Sequence, residues 1–142
     1  MKIFFSHSSY DKPLVREIKD GFPTHIKTWI DEADLLIGEP IKENLQYAIQ
    51  AETDFVIVFL SKESIQSKWV RQEMHWALEQ EKIQNRTIII PVLLDKNIIQ
   101  KIEPKQLQNR KYLECFSREK ADVEAFSKKL YNDLIALIIK DR

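Results

Sequence analysis

The run Phe55–Leu60, FVIVFL, contains no polar side chain. Six consecutive apolar residues are typical of a parallel strand that is covered by helices on both faces. Comparable short apolar runs alternate with helical patterns along the whole chain. Alternation of this kind predicts a parallel sheet that lies between two layers of helices.

The alternation predicts five strands and four helices. The predicted strands are Lys2–Ser6, Ile26–Ile30, Phe55–Leu60, Thr87–Leu94 and Lys111–Phe116. The predicted helices are Lys12–Asp20, Pro40–Ala51, Ser67–Lys82 and Ala121–Ile139. Pro91 has no N–H group to donate, so we expect it at a bulge or at a strand margin. The predicted fold is a flavodoxin-like three-layer α/β/α sandwich with a central, mainly parallel five-stranded sheet, and it fills residues 1–142 as a single domain.

The composition argues against several kinds of protein. The 22 basic residues balance the 22 acidic ones, so no net charge attracts nucleic acid or a membrane surface. The two glycines, Gly21 and Gly38, are too few for a P-loop or a Rossmann fingerprint. A single cysteine, Cys115, cannot form an internal disulfide, and we expect it to be buried in a strand. With no signal-peptide pattern and no apolar stretch of about 20 residues, we expect a cytoplasmic protein.

Ligands of open α/β sheets bind beyond the carboxyl ends of the strands. The segments to examine are therefore Ser6–Asp11, Asp31–Gly38, Ser61–Trp69 and the loop after Leu94. A response-regulator receiver would need an acidic pair after the first strand and a phosphoacceptor aspartate after the third, and serines or histidine occupy these places. The serines of the first segment lack the Gly-x-Ser-x-Gly turn of serine hydrolases. The three histidines, His7, His25 and His75, lack metal-ligand spacing, so we expect no metal site.

The predicted helix Ser67–Lys82 carries a carboxylate in an unusual position. Trp69, Glu73 and Trp76 follow one another at helical spacing, next to an apolar arc that should face the core. Indole rings remove hydration from a neighbouring carboxylate, which raises its pKa and strengthens its local electrostatics. The spacing leaves two interpretations open. Glu73 is either a functional carboxylate or a solvated side chain paired with Arg71 or Lys68.

Three segments, in register, resemble the Toll/interleukin-1 receptor (TIR) domain family. Lys2–Asp11, KIFFSHSSYD, is similar to the first strand and loop of bacterial members. Trp29–Ile49 resembles the second strand, the BB loop and the next helix. Phe55–Leu78 resembles the third strand and the S-x-W-x-x-x-E helix of the enzymatic members. The resemblance covers nearly the whole chain and identifies it as a single TIR domain of the NAD-cleaving, Thoeris-like bacterial type.

The resemblance implies a site. It places the catalytic glutamate at Glu73 and implies substrate contacts from His7, Ser8, Ser9, Asp34, Leu36, Ile37, Gly38 and Trp69. Some animal members have an aromatic residue and arginines in place of His7, Ser8 and Ser9. Pro40, two residues after Gly38, also departs from the family pattern and changes what the BB loop can reach.

The resemblance also implies a function. The implied enzyme is an NAD+ nucleosidase that releases nicotinamide and either ADP-ribose or a cyclic or derivatised ADP-ribose signal in bacterial anti-phage defence. NAD+ is then a substrate, and no cofactor or metal is expected. The implied partners are further copies of the chain, joined through the BB loop, and a downstream effector that senses the product. Two alternatives stay open: a non-catalytic module that signals by self-assembly, and a virulence factor that acts on host TIR signalling.

Overall fold

A computed structural model describes residues 1–30 and 37–140 of the chain. Its strands are β1 (Lys2–Ser6), β2 (Lys27–Trp29), β3 (Phe55–Leu60), β4 (Ile89–Leu93) and β5 (Leu113–Glu114). Its helices are α1 (Lys12–Asp20), α2 (Ile41–Tyr47), α3 (Lys68–Gln84) and α4 (Lys120–Lys140). The α2 helix continues into a π-helical turn at Ala48–Glu52. Every predicted element is therefore present, in the predicted order.

The five strands form one sheet in the order β2-β1-β3-β4-β5. All the strand pairings recorded among the described residues are parallel, where the sequence predicted a mainly parallel sheet. The order is that of the flavodoxin-like fold, as predicted. The chain passes from β1 to β2 on one side of the sheet and from β3 to β4 on the other side. This reversal opens a crevice at the carboxyl ends of β1 and β3.

The β3 strand explains why the sheet is covered on both sides. All six of its side chains are buried. Successive side chains of a strand point to opposite faces. Phe55, Ile57 and Phe59 accordingly pack in the core that includes α1 and α4 residues, whereas Val56, Val58 and Leu60 pack in the core that includes α2 and α3 residues.

The edges of the sheet are shorter than predicted. The β2 strand has three residues instead of five, and β5 has two instead of six. An edge strand has a partner on one side only, so apolar character alone does not determine how far its pairing extends. Ile41, the first residue of α2, is 45% exposed.

Pro91 lies in the interior of β4, in register with Val58, and not at the expected bulge or margin. The Leu94 N–H donates to Leu60 of β3, and the Leu93 carbonyl accepts from Cys115 on the other side. Because backbone groups alternate along a strand, Pro91 directs its nitrogen toward the β5 side. Pairing with β5 begins only at Val92. The missing N–H of Pro91 therefore costs the sheet no ladder hydrogen bond.

The amino end of β4 is fastened to α3 by one carboxylate. Glu81 Oε2 accepts hydrogen bonds from the backbone N–H groups of Ile88 and Ile89 at 2.8 and 2.9 Å. Arg110 donates to both carboxylate oxygens of Glu81, at 2.7 and 2.8 Å. This contact joins α3, β4 and the segment before β5, at the end of the sheet opposite the crevice.

Candidate active site

A cleft of about 410 Å³ opens at the carboxyl end of β1. The loop after β1, the start of α3 and side chains near β2 and α2 form its walls. Its lining residues are His7, Ser8, Ser9, Tyr10, Lys12, Ile30, Leu45, Glu63, Ser67, Trp69 and Glu73. The topology places a ligand crevice at this point of such a sheet.

Glu73 lines this cleft and is nevertheless almost withdrawn from water, with 7% of its surface exposed. It lies in the second turn of α3, whose first turn is capped by the Ser67 hydroxyl accepting from the Val70 N–H. Of the two open interpretations, that of a solvated side chain is therefore wrong, because Glu73 is buried. Arg71 donates to the Ile65 carbonyl oxygen.

The two tryptophans beside Glu73 have different environments. Trp69 is 48% exposed and lines the cleft, so its indole ring is available to a ligand. Trp76 is buried in the core between the sheet and α3. Of the three residues predicted to lie together, Trp69 thus lines the cleft, Glu73 lies at the border of the core and Trp76 packs in the core.

A serine of β1 contacts the carboxylate directly. Ser6 Oγ donates to Glu73 Oε1 at 2.8 Å, and the Ser6 side chain is fully buried. The sequence showed Ser6 as a polar strand end, but it gave no sign of this contact. Ser6 and Glu73 are 67 residues apart, and only the pairing of the sheet brings them together.

The loop after β1 is held in place by further polar contacts. His7 Nδ1 donates to the Phe5 carbonyl oxygen at 2.8 Å, which places the imidazole over the end of β1. Ser8 Oγ donates to Asp11 Oδ2 at 2.8 Å, and the Ser61 hydroxyl, just after β3, donates to the same oxygen at 2.5 Å. The bond between Asp11 and Ser61 is buried and so is shielded from water. The carboxylate joins the cleft loop to the end of β3.

Sequence reasoning missed Asp11 and Ser61 as determinants of the cleft. Asp11 is the last residue of the KIFFSHSSYD segment, and a serine–aspartate spacing of three residues was a local signal for the Ser8 contact. Nothing in the sequence connects Ser61 to it across 50 positions.

The predicted site residues do not all come together. His7, Ser8, Ser9, Trp69 and Glu73 share the cleft. Ile37 and Gly38 are exposed and are not among its lining residues, although Gly38 has the positive φ of 87° that favours glycine. Asp34 and Leu36 lie outside the described residues.

Across residues 1–30 and 37–140, no three His, Cys, Asp or Glu side chains are grouped closely enough to hold a metal ion. Within the same residues, no helix has the length and apolar character that crossing a membrane requires.

Residues 3–131 match the sequence model of the TIR domain. This chain belongs to the TIR domain family. The TIR domain is 27% identical over 94 residues to "NAD(+) hydrolase TcpC" of Escherichia coli O6:H1, strain CFT073. That match covers 63% of this chain and 29% of the relative, so the chain spans less than a third of the relative's length.

Solved TIR structures share the fold. The TIR domains of the activated Roq1 resistosome, which directly recognises the pathogen effector XopQ, align with a TM-score of 0.69 at 19% identity over 94% of this chain and 98% of theirs. The metazoan TIR-STING receptor of C. gigas aligns with a TM-score of 0.66 at 26% identity, over 88% of this chain and 38% of the receptor. The TIR domain of TRR-2 from Hydra magnipapillata aligns with a TM-score of 0.65 at 20% identity, over 92% and 95% of the two chains.

Proposed function

We propose that this TIR domain cleaves the bond between nicotinamide and ribose in NAD+, with Glu73 as the catalytic carboxylate. The observation that carries the proposal is a carboxylate that is 7% exposed yet lines a cleft. Withdrawing a carboxylate from water is costly, and such groups concentrate at functional sites. The similarity to a protein named NAD(+) hydrolase supports the same chemistry.

The reaction needs one carboxylate only. Ordinary glycosidases use a second acid to protonate the leaving oxygen. The nicotinamide of NAD+ carries a positive charge and departs with the bonding electron pair as a neutral base, so it needs no proton. Positive charge then develops on the ribose. Glu73 stabilises it by its negative charge and by accepting hydrogen bonds from the ribose hydroxyls.

The side chains around Glu73 suit the nicotinamide riboside half of NAD+. Trp69 presents an exposed aromatic ring at the cleft. Ser8, Ser9 and His7 supply polar groups to the same cleft, just after the end of β1. Water that attacks the ribose carbon loses one proton and gives ADP-ribose, whereas capture by the adenine base gives a cyclic product.

The decisive experiment measures nicotinamide release from NAD+ by the purified chain at high concentration, with products identified by mass. We expect Glu73→Gln to lower the rate about 100-fold or more, because the substitution keeps the shape and removes the charge. Glu79→Gln is the matched control, since Glu79 is an exposed glutamate of the same helix. Equal rates for the wild type and Glu73→Gln would refute the assignment of Glu73, and a wild type without nicotinamide release would refute the activity.

A second candidate function is signalling by self-assembly. Ile37 is fully exposed, and Ile41 is 45% exposed at the start of α2. Exposed apolar side chains close together in sequence often mark an interface. We therefore propose that copies of the chain associate through the segment that contains Ile37. We also propose that the product made from NAD+ acts on a downstream effector in anti-phage defence. A virulence role on host TIR signalling is the alternative, and the genes neighbouring this one would discriminate between them.

A further inference from the structure

The contact between Ser6 and Glu73 joins two elements at the base of the cleft. Ser6 is the last residue of β1, and Glu73 lies in the second turn of α3. The donor Ser6 Oγ lies 2.8 Å from the acceptor Glu73 Oε1. Both residues are buried, so water does not compete for this hydrogen bond.

The position of the Ser6 hydroxyl is fixed by the sheet. Ser6 is in register with Val58 of β3, and the strand before it is paired on both sides. The preceding residues, Ile3 to Phe5, are fully buried in the two cores. A hydroxyl at the end of so constrained a strand is a rigid donor, whereas a glutamate has three rotatable side-chain bonds. The strand therefore orients the carboxylate.

We propose that Ser6 is a positioning residue that holds the plane of the Glu73 carboxylate toward the ribose of NAD+. The inference rests on the proposed function. Rotation of the carboxylate about its terminal bond would break the contact with Ser6, so the hydrogen bond keeps one orientation. Donation to the carboxylate also favours its charged form, which is the form that stabilises positive charge on the ribose.

Misorientation of a reacting group by about 1 Å can cost on the order of 100-fold in rate. Ser6→Ala removes the donor without adding volume. We expect it to lower kcat by about 10-fold or more and to change KM by less than about twofold, because Ser6 does not line the cleft. We also expect the acidic limb of the rate–pH profile to move to higher pH, since the charged carboxylate loses a favourable donor.

Other titratable groups face the same cleft, namely His7, Tyr10, Lys12 and Glu63. These groups are the same in the wild type and in Ser6→Ala. A shift of the acidic limb of the rate–pH profile between the two proteins therefore reports on Glu73. Ser6→Cys is a second variant at the same position. Its thiol is similar in size to the hydroxyl but is a weak hydrogen-bond donor. Its kcat should lie between those of the wild type and Ser6→Ala.

Ser127→Ala is the matched control for the loss of a buried hydroxyl. Ser127 is fully buried and donates to the Ile18 carbonyl oxygen at 2.6 Å, on the α1–α4 side of the sheet. This variant should lose thermal stability but keep kcat per folded molecule and the pH profile. A structural role alone for Ser6 would make Ser6→Ala behave in the same way.

These experiments test the positioning role of Ser6 separately from the proposed cleavage of NAD+. If the wild type releases nicotinamide and Glu73→Gln does not, but Ser6→Ala keeps the wild-type kcat and pH profile, the positioning role is wrong and the proposed function stands. If Ser6→Ala lowers kcat and moves the acidic limb while Ser127→Ala changes neither, the positioning role is supported. If the wild type releases no nicotinamide, both are overturned.

Discussion

Among the residues that the structure describes, the carboxylates of Asp11, Glu73 and Glu81 are largely withdrawn from water, and their donors differ. Asp11 receives hydroxyl groups from Ser8 and Ser61, which belong to separate loops. Glu81 receives two backbone N–H groups and a guanidinium. Both are tied to groups that fasten one element to another. Glu73 receives the Ser6 hydroxyl and lines the cleft together with the exposed Trp69.

The single cysteine gives a residue-scale prediction about pH. Burial raises the pKa of the Cys115 thiol above its ordinary value, and the nearby Arg118 charge opposes that shift. The thiolate is the nucleophile, so a raised pKa keeps the native thiol protonated and unreactive near neutral pH. We expect iodoacetamide to modify the native protein at pH 7.5 at least about 10-fold more slowly than the unfolded chain.

The labelling rate should also respond to pH in a defined direction. Modification of the unfolded chain should accelerate as pH rises through the ordinary thiol range, whereas the native protein should require a higher pH. Since the sequence contains one cysteine, mass measurement of the labelled protein reports on that side chain alone. Equal rates for the native and unfolded chains at pH 7.5 would show that Cys115 is accessible and ionised in the fold.

At the scale of elements, the interior of the sheet was predictable and its edges were not. The bounds of β1, α1 and β3 agree with the prediction, because local apolar patterns decide them. The shortening of β2 and β5 depends on how far a partner strand extends, which no local pattern records. Helical spacing placed Glu73 beside the core and between two tryptophans, but it could not give the residue across from it, Ser6.

The contact between Glu81 and Arg110 should contribute to the stability of the fold, because it joins α3 to β4 and to the segment before β5. We expect Glu81→Gln to lower the free energy of unfolding by about 3 kcal/mol, because it leaves Arg110 and two N–H groups without a charged acceptor. Asp133→Asn is the control, since Lys129 and Asp133 form an exposed pair at 3.2 Å that should contribute at most about 0.5 kcal/mol. Urea denaturation measures both, and equal losses would contradict the prediction.

At the scale of the whole molecule, the proposed self-assembly predicts that activity depends on protein concentration. If copies associate through the segment around Ile37, nicotinamide release per molecule should fall on dilution while the circular dichroism spectrum stays native. Ile37→Asp should lower that rate at a concentration where the wild type is active. Ile83→Asp is the matched control, because Ile83 is 72% exposed near the far end of α3.

Two results would count against this assembly. Specific activity that is independent of concentration would show that one copy suffices. Equal effects of Ile37→Asp and Ile83→Asp would show that a charge on any exposed apolar position disturbs the chain, so the segment around Ile37 would have no special role.

The strand order also governs when activity can arise during synthesis of the protein. Ser6 leaves the ribosome 67 residues ahead of Glu73, and β4, which flanks β3, follows Glu73. A nascent chain that ends before α3 has the loop after β1 but lacks Glu73. On the proposed function, translation products that end before Glu73 lack the catalytic carboxylate and leave the NAD+ pool of the cell intact.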